Sequence, residues 1–169
     1  MEPLEFAAQT KLERLQGLSD RTRLQQFLEI SDHWTAPALS QRVVLSDFAE
    51  KVLQNGVAVI AANICDVDVG LAAFYCNDQV KRRAFLTHLA VAPESRGRGL
   101  GTALLNYAKA YSESLGMTSM LLEVYNSNEN ARRLYIASGF LETKLDPGNG
   151  RSEHSLYMLC ALGKHPKQP

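Results

Sequence analysis

The residues with the most chemistry in this sequence lie in two short stretches. The first, residues 91–102, reads VAPESRGRGLGT: an extended run halted by Pro93, then Arg96 and Arg98 interleaved with Gly97, Gly99 and Gly101. A helix is predicted to begin near Gly99, and the first turn of a helix leaves backbone N–H groups without partners at the positive end of its dipole. Glycines let an anion approach those groups without a Cβ in the way, and arginine adds bidentate donors, so the stretch suits a phosphate. A tight strand-to-helix turn with two solvated arginines is the structural alternative. The second stretch, residues 121–140, reads LLEVYNSNENARRLYIASGF and holds a carboxylate at Glu123, an amide at Asn128 and a phenol at Tyr135. A carboxylate can take a proton from an attacking group, and a phenol can donate one to a departing atom.

Which anion fits is narrowed by spacing. A Walker loop needs GxxxxGK followed by Ser or Thr, and no such string occurs. The dinucleotide fingerprint GxGxxG places glycines at 97, 99 and 102, but position 102 is Thr. Neither nucleotide reading holds.

Positioning these groups requires an alternation of elements. The first fifty residues read as helical, with Leu12, Leu15 and Leu18 and then Leu24, Phe27 and Leu28 on helix spacing, a loop over residues 33–39, and Ser46 capping a helix over 47–54 that stops at Asn55-Gly56. The period then changes. Residues 57–65 and 69–76 predict a hairpin, 77–83 a polar turn, and 84–91 a third antiparallel strand. Leu100, Ala103, Leu104, Tyr107, Ala108, Tyr111 and Leu115 share one face of a helix ended by Gly116. Residues 120–124 predict a buried strand, Ser127 caps a short helix ended by Gly139, and strands over 140–145 and 154–161 flank a turn at 146–150. The expectation is an α/β domain on a mixed sheet, one domain over 1–162 with a flexible tail at 163–169.

Composition bounds the function. The chain has 169 residues, 46% hydrophobic and 21% charged, with 18 Lys and Arg against 18 Asp and Glu. Net neutrality argues against a nucleic-acid binder or a membrane-surface protein. The cancellation is uneven: residues 1–80 sum to −5, residues 81–101 to +4 and residues 102–169 to +1. The positive segment coincides with the glycine loop. The longest apolar run, 57–62, is far below the roughly 18 residues of a membrane helix, and the MEPLEF start is acidic, so a cytoplasmic protein is expected. Cys65, Cys76 and Cys160 have neither disulfide nor metal-ligand spacing, so they read as small core residues and no metal is expected.

The string RGRGLG after the strand HLAVAP, together with LLEVYNSNENARRLYIASGF downstream, resembles the two signatures of the GNAT superfamily of acetyl-CoA-dependent N-acetyltransferases. The resemblance covers residues 84–145 specifically. It implies a mixed, mostly antiparallel sheet with a parallel, splayed strand pair and flanking helices, and acetyl-CoA as co-substrate. Leu89, Ala90 and Val91 would then bind the pantetheine arm through their backbone. Arg96, Gly97, Arg98, Gly99, Leu100, Gly101 and Thr102 would hold the pyrophosphate, Asn128 would bond the pantetheine, and Tyr135 would lie near the thioester sulfur. Arg132 and Arg133 read as a solvated helix face. The implied reaction is direct attack by an amine, without a covalent acetyl-cysteine.

Three candidates for the general base stay open: Glu123, in the place of the base in the branch that acetylates protein N-termini; His88, which alternation sets on the face opposite Thr87 and Leu89; and a water chain. The acceptor site is expected from residues 27–43, with Asp32, His33 and Trp34, from Tyr75 and from the turn 146–153. Residues 37–56, with the strands after them, resemble GNAT proteins of bacterial surface-polysaccharide synthesis, which implies an amino sugar or nucleotide-linked amino sugar. A peptide or protein N-terminus is the alternative acceptor. A fold that binds acyl-CoA without turnover is the competing class. The family's end strands often pair across a dimer, which leaves a homodimer open.

Overall fold

Small and β-branched residues after Gly56 build the centre of a seven-stranded sheet in the order β1-β2-β3-β4-β5-β7-β6. The computed structural model describes residues 10–145 and 153–163. In chain order the elements are β1 (Lys11–Arg14), α1 (Arg21–Ser31), α2 (Leu45–Asn55), β2 (Val57–Ala62), β3 (Asp68–Asp78), β4 (Arg83–Val91), α3 (Leu100–Ser114), β5 (Ser119–Tyr125), α4 (Glu129–Ala137), β6 (Leu141–Thr143) and β7 (Ser155–Ala161). Among the described residues β4–β5 is the parallel pair and the other neighbours are antiparallel. No helix among them is long and apolar enough to cross a membrane.

Two cores lie on opposite faces of the sheet. On one, α3 buries Leu100, Leu104, Leu105 and Ala108 against Phe74, Leu86, Met120 and Leu122, with Tyr135 of α4 and Phe140 just beyond it joining. On the other, Leu24, Phe27 and Leu28 of α1 and Phe48, Ala49 and Val52 of α2 cover Ile60, Leu71 and Ala90. Truncating a fully buried leucine such as Leu104 to alanine is expected to cost about 2–5 kcal/mol.

Four expectations are corrected. Residues 11–14 form an edge strand paired with β2, Lys11 opposite Ala62 and Arg14 opposite Val59, not a helix. Gly17, at φ 74°, interrupts the helical spacing of Leu12, Leu15 and Leu18, and the partnership with β2 prevails. The α2 helix begins at Leu45 with Val44 as its cap residue, so Ser46 lies inside the first turn. Asn128, not Ser127, caps α4, its side chain accepting from the Ala131 N–H at 3.1 Å. Of the cysteines Cys160 alone is buried; Cys76 is half-buried, and Cys65 is exposed because it falls in the turn between β2 and β3. The turn 146–150 and the tail from 164 onward lie outside the described residues.

Candidate active site

The site originates in a strand irregularity. Ala73 of β3 lies opposite His88 while Phe74 lies opposite Leu86, so Thr87 is an extra residue, a bulge in β4. The parallel pairing of β4 with β5 runs from Arg83 opposite Ser119 to Leu86 opposite Leu122 and stops there. Beyond it β4 stays with β3 and β5 stays with β7, which opens a gap in mid-sheet. The bulge also breaks strict alternation: His88 lies opposite Ala73 and Ala90 opposite Leu71, residues of the α1/α2 core, and its ring packs edge-on to Phe48 at 6.1 Å. This corrects the expectation that His88 faces away from Thr87.

Leu89 and Val91 turn their main-chain groups into the gap. Ala92 donates to Val69 of β3 at 2.9 Å, and alternate residues of a strand address opposite edges, so the Ala90 amide and carbonyl are directed to β3 instead. After β4 the chain passes Gly97 (φ 72°) and Gly99 (φ 81°), left-handed conformations that a Cβ disfavours. The first α3 bond runs from Ala103 N–H to Gly99 C=O, which leaves the N–H groups of Leu100, Gly101 and Thr102 without intrahelical acceptors. Gly101 has a different reason to be glycine: a Cβ there would stand 3.1 Å from Leu134 Cδ2, so it sets the closeness of α3 and α4.

A cavity of about 600 Å³ lies along this gap. Leu89, Ala90, Val91, Arg96, Gly97, Gly99, Leu100, Gly101, Thr102, Asn128 and Tyr135 all line it; Arg98 is exposed and does not. Two donors of Arg96 are engaged as a bracket, Nε on the Val91 carbonyl at 3.0 Å and Nη2 on the Trp34 carbonyl at 2.8 Å. The bracket ties the loop after α1 to the glycine loop. The unpaired amides, the glycine path and the gap-facing backbone fit an extended chain ending in phosphates, as coenzyme A is.

A smaller cavity, about 90 Å³, opens beside it and shares Asn128, Ala131 and Tyr135. Leu122 and Val124 of β5 pack into the core, and Glu123, on the opposite face, lines this second cavity. The side chain of Glu123 is 19% exposed, accepts from the Ser155 hydroxyl, and lies 3.6 Å from Arg42 Nη2. Arg42 also stacks over Tyr125 at 5.6 Å from the ring centroid. Tyr135 comes from the α3 face and Glu123 from the α1/α2 face, and both line the second cavity at the gap.

Burial raises the phenol of Tyr135 above its ordinary range, and its hydroxyl has no hydrogen-bond partner among the described residues. It stays protonated at neutral pH and available as a donor. Burial, with Arg42 adding to it and Asp32 opposing, lowers His88 to about 4. A neutral imidazole of such low proton affinity is a poor base at pH 7. Asp32 is occupied by Ser40, which donates to it through its backbone N–H at 2.8 Å and through its hydroxyl, contacts that hold the carboxyl below its usual range. It fastens the loop rather than lining either cavity. Trp34 lines the larger cavity and meets Phe27 edge-on at 5.6 Å; His33 lines neither. Arg42 and Ser155 were not singled out from the sequence, because nothing in their local spacing signals that β5, β7 and a loop converge on Glu123. Among the described residues no group of three or more His, Cys, Asp or Glu is placed to hold a metal.

Fold and site together are those of one family of proteins, as comparison with known proteins shows. The acetyltransferase (GNAT) family profile matches residues 23–140, and the chain belongs to that family of N-acetyltransferases. The [ribosomal protein bS18]-alanine N-acetyltransferase of Salmonella typhimurium is 37% identical over 120 residues, 70% of this chain and 81% of that protein. An uncharacterized N-acetyltransferase of Methanocaldococcus jannaschii is 35% identical over 92 residues, 50% of this chain and 41% of the relative. The match to a chloroplastic N-acetyltransferase of Arabidopsis thaliana spans 24% of that protein, so the chain matches less than half of the length of these last two relatives. The Salmonella typhimurium protein yncA, solved with its cofactor acetyl-CoA, shares the fold with a TM-score of 0.68 at 20% identity, over 94% of this chain and 96% of that one.

Proposed function

We propose that the protein transfers an acetyl group from acetyl-CoA to the α-amine of a peptide or protein N-terminus by direct attack. The observation that carries this is the meeting of Glu123 and Tyr135 in one small cavity, with Tyr135 also lining the cavity along the glycine loop. Bound acetyl-CoA supplies the activated thioester. The unpaired N–H groups at the start of α3 hold its phosphates, and the gap-facing backbone of Leu89 and Val91 holds its pantetheine arm. One oxygen of Asn128 caps α4, so its amide N–H groups are the ones free to donate to the arm.

Glu123 takes a proton from the acceptor ammonium, and the freed amine attacks the acetyl carbonyl. An α-ammonium near 8 releases its proton more readily than a lysine-type ammonium near 10.4, which favours an N-terminal amine over a polyamine. Full proton transfer from a tyrosine near 10 to a thiolate near 8.5 is uphill by about 2 kcal/mol, and burial of Tyr135 makes it steeper. Tyr135 therefore stabilises the departing sulfur by a hydrogen bond and keeps its proton.

The polysaccharide-synthesis resemblance pointed to an amino sugar. Two observations favour a peptide instead: the named acceptor of the bS18-alanine relatives, and an open, partly apolar cavity adjoining the Glu123 pocket where a sugar would want enclosed polar walls. The test is thiol release from acetyl-CoA against N-terminal peptides, amino sugars and polyamines. Peptide-dependent release supports the proposal; release with amino sugars alone overturns the acceptor, and tight coenzyme binding with no amine-dependent release favours a binding module.

A further inference from the structure

We infer that the cavity beneath α2 seats an apolar side chain of the acceptor, belonging to the second or third residue from the reacting amine. This rests on the peptide reading above. The cavity, about 580 Å³, is floored by Phe85 and Thr87 of β4 and Leu121 of β5, and walled by Phe48 of α2 and Tyr75 of β3. Thr87 lines both it and the Glu123 pocket, so the two adjoin at the bulge.

Distance selects the position. Leu121 precedes Glu123 by two residues on the same strand face, about 7 Å at the rise of a β-strand. An extended peptide covers the same distance in two residues. A chain whose amine is at Glu123 can therefore lay a neighbouring side chain over Phe85, which is half-buried, beside the buried Leu121.

Chemistry selects the class. Val43 and Val44 stand at this cavity 37% and 63% exposed, an apolar pair unburied beside an apolar floor. The polar lining carries Asp47 and Lys51 and the Asp78–Arg83 pair at 4.0 Å, two acids and two bases, so no net charge draws an ionic group. The apolar floor decides, and it favours phenyl or branched aliphatic groups over hydroxylated ones.

The test measures acetyl-CoA thiol release with Ala-Gly-Phe, Ala-Phe-Gly and Ala-Gly-Ser amides. The better phenylalanine peptide is expected to have a KM about ten-fold or more below that of the serine peptide, the scale of burying an aromatic side chain. Val44→Glu, at an exposed position, should cut that ratio to below about three-fold; the ratio, not the absolute rate, is the readout. Equal KM values in the wild type, or an unchanged ratio in the variant, overturn the inference. As a readout independent of turnover, the phenylalanine is replaced by benzoylphenylalanine and photolysed. Labelling within residues 43–51 or 85–87 supports the seat, and labelling confined to 33–41 overturns it. Absence of release with every amine would retire the transfer reading, while the labelling would still decide the cavity.

Discussion

The cavity along the glycine loop takes much of its wall from one unbroken stretch, residues 89–102, whereas the pocket at Glu123 draws on residues 35–42, β4, β5 and α4. The first works through backbone: unpaired amides, left-handed glycines and a strand edge. The second works through side chains, Glu123, Arg42, His88 and Tyr135, brought together by a gap in the sheet. A backbone site tolerates change in most of its side chains and fails when a glycine conformation is lost. A side-chain site fails when one atom is removed.

The sharpest contrast is kinetic. Glu123→Gln should lower kcat/KM about 10²–10³-fold, within the range of general-base removal, with the acetyl-CoA Kd by calorimetry unchanged within about three-fold. Tyr135→Phe should lower kcat by about ten- to a hundred-fold, again with the Kd little altered. A large loss of coenzyme affinity in either variant would erase the division of labour between the two cavities.

Acid should separate the regions next. His88 titrates near 6.5 in an unfolded chain and at about 4 in the fold, so between those values the unfolded state binds the extra proton. Stability then falls as pH drops from about 6.5 to about 4 and levels off below, by up to about 3 kcal/mol. Urea unfolding at pH 7 and pH 4.5 measures this, and His88→Gln should abolish that part of the dependence.

On the backbone side, Gly97→Ala forces a Cβ into a left-handed conformation and should cost about 1–2 kcal/mol of stability while raising the acetyl-CoA KM. Gly101→Ala meets only the end of the Leu134 side chain and should cost less than about 1 kcal/mol. Similar losses at both positions would show that packing, not conformation, makes the loop glycine-rich. The smallest effect is expected at Arg42, whose partly exposed ion pair with Glu123 opposes an incoming ammonium. Arg42→Ala should lower the KM of a cationic amine by a few-fold at low salt, with less change at high salt.

Much of this was legible before the fold. The helix after Gly99, the hairpin and third strand, the closing strands and the glycine loop follow from local spacing, because period and turn chemistry are written within ten residues of each other. The edge strand Lys11–Arg14 was not, since its partner lies about fifty residues away in β2 and Leu12, with Leu15 and Leu18 after it, also satisfies a helix. His88 faces away from Leu89 as alternation expects, but its separation from Thr87 failed for a related reason: alternation holds only while pairing is regular, and the bulge at Thr87 is a property of the β3–β4 register. Ser155 reaches Glu123 only because β5 and β7 pair with Tyr157 opposite Glu123.

Residue order by itself determined the family signatures, the start of α3 with its unpaired amides, and a concentration of positive charge around the loop. All of these depend on neighbours along the chain. Tertiary structure decided that the sheet parts after Leu86 and Leu122, that Glu123 and Tyr135 line one cavity from opposite faces at that opening, and that two donors of Arg96 brace a loop. Such outcomes depend on strand register and on contacts between distant segments, which no local pattern encodes.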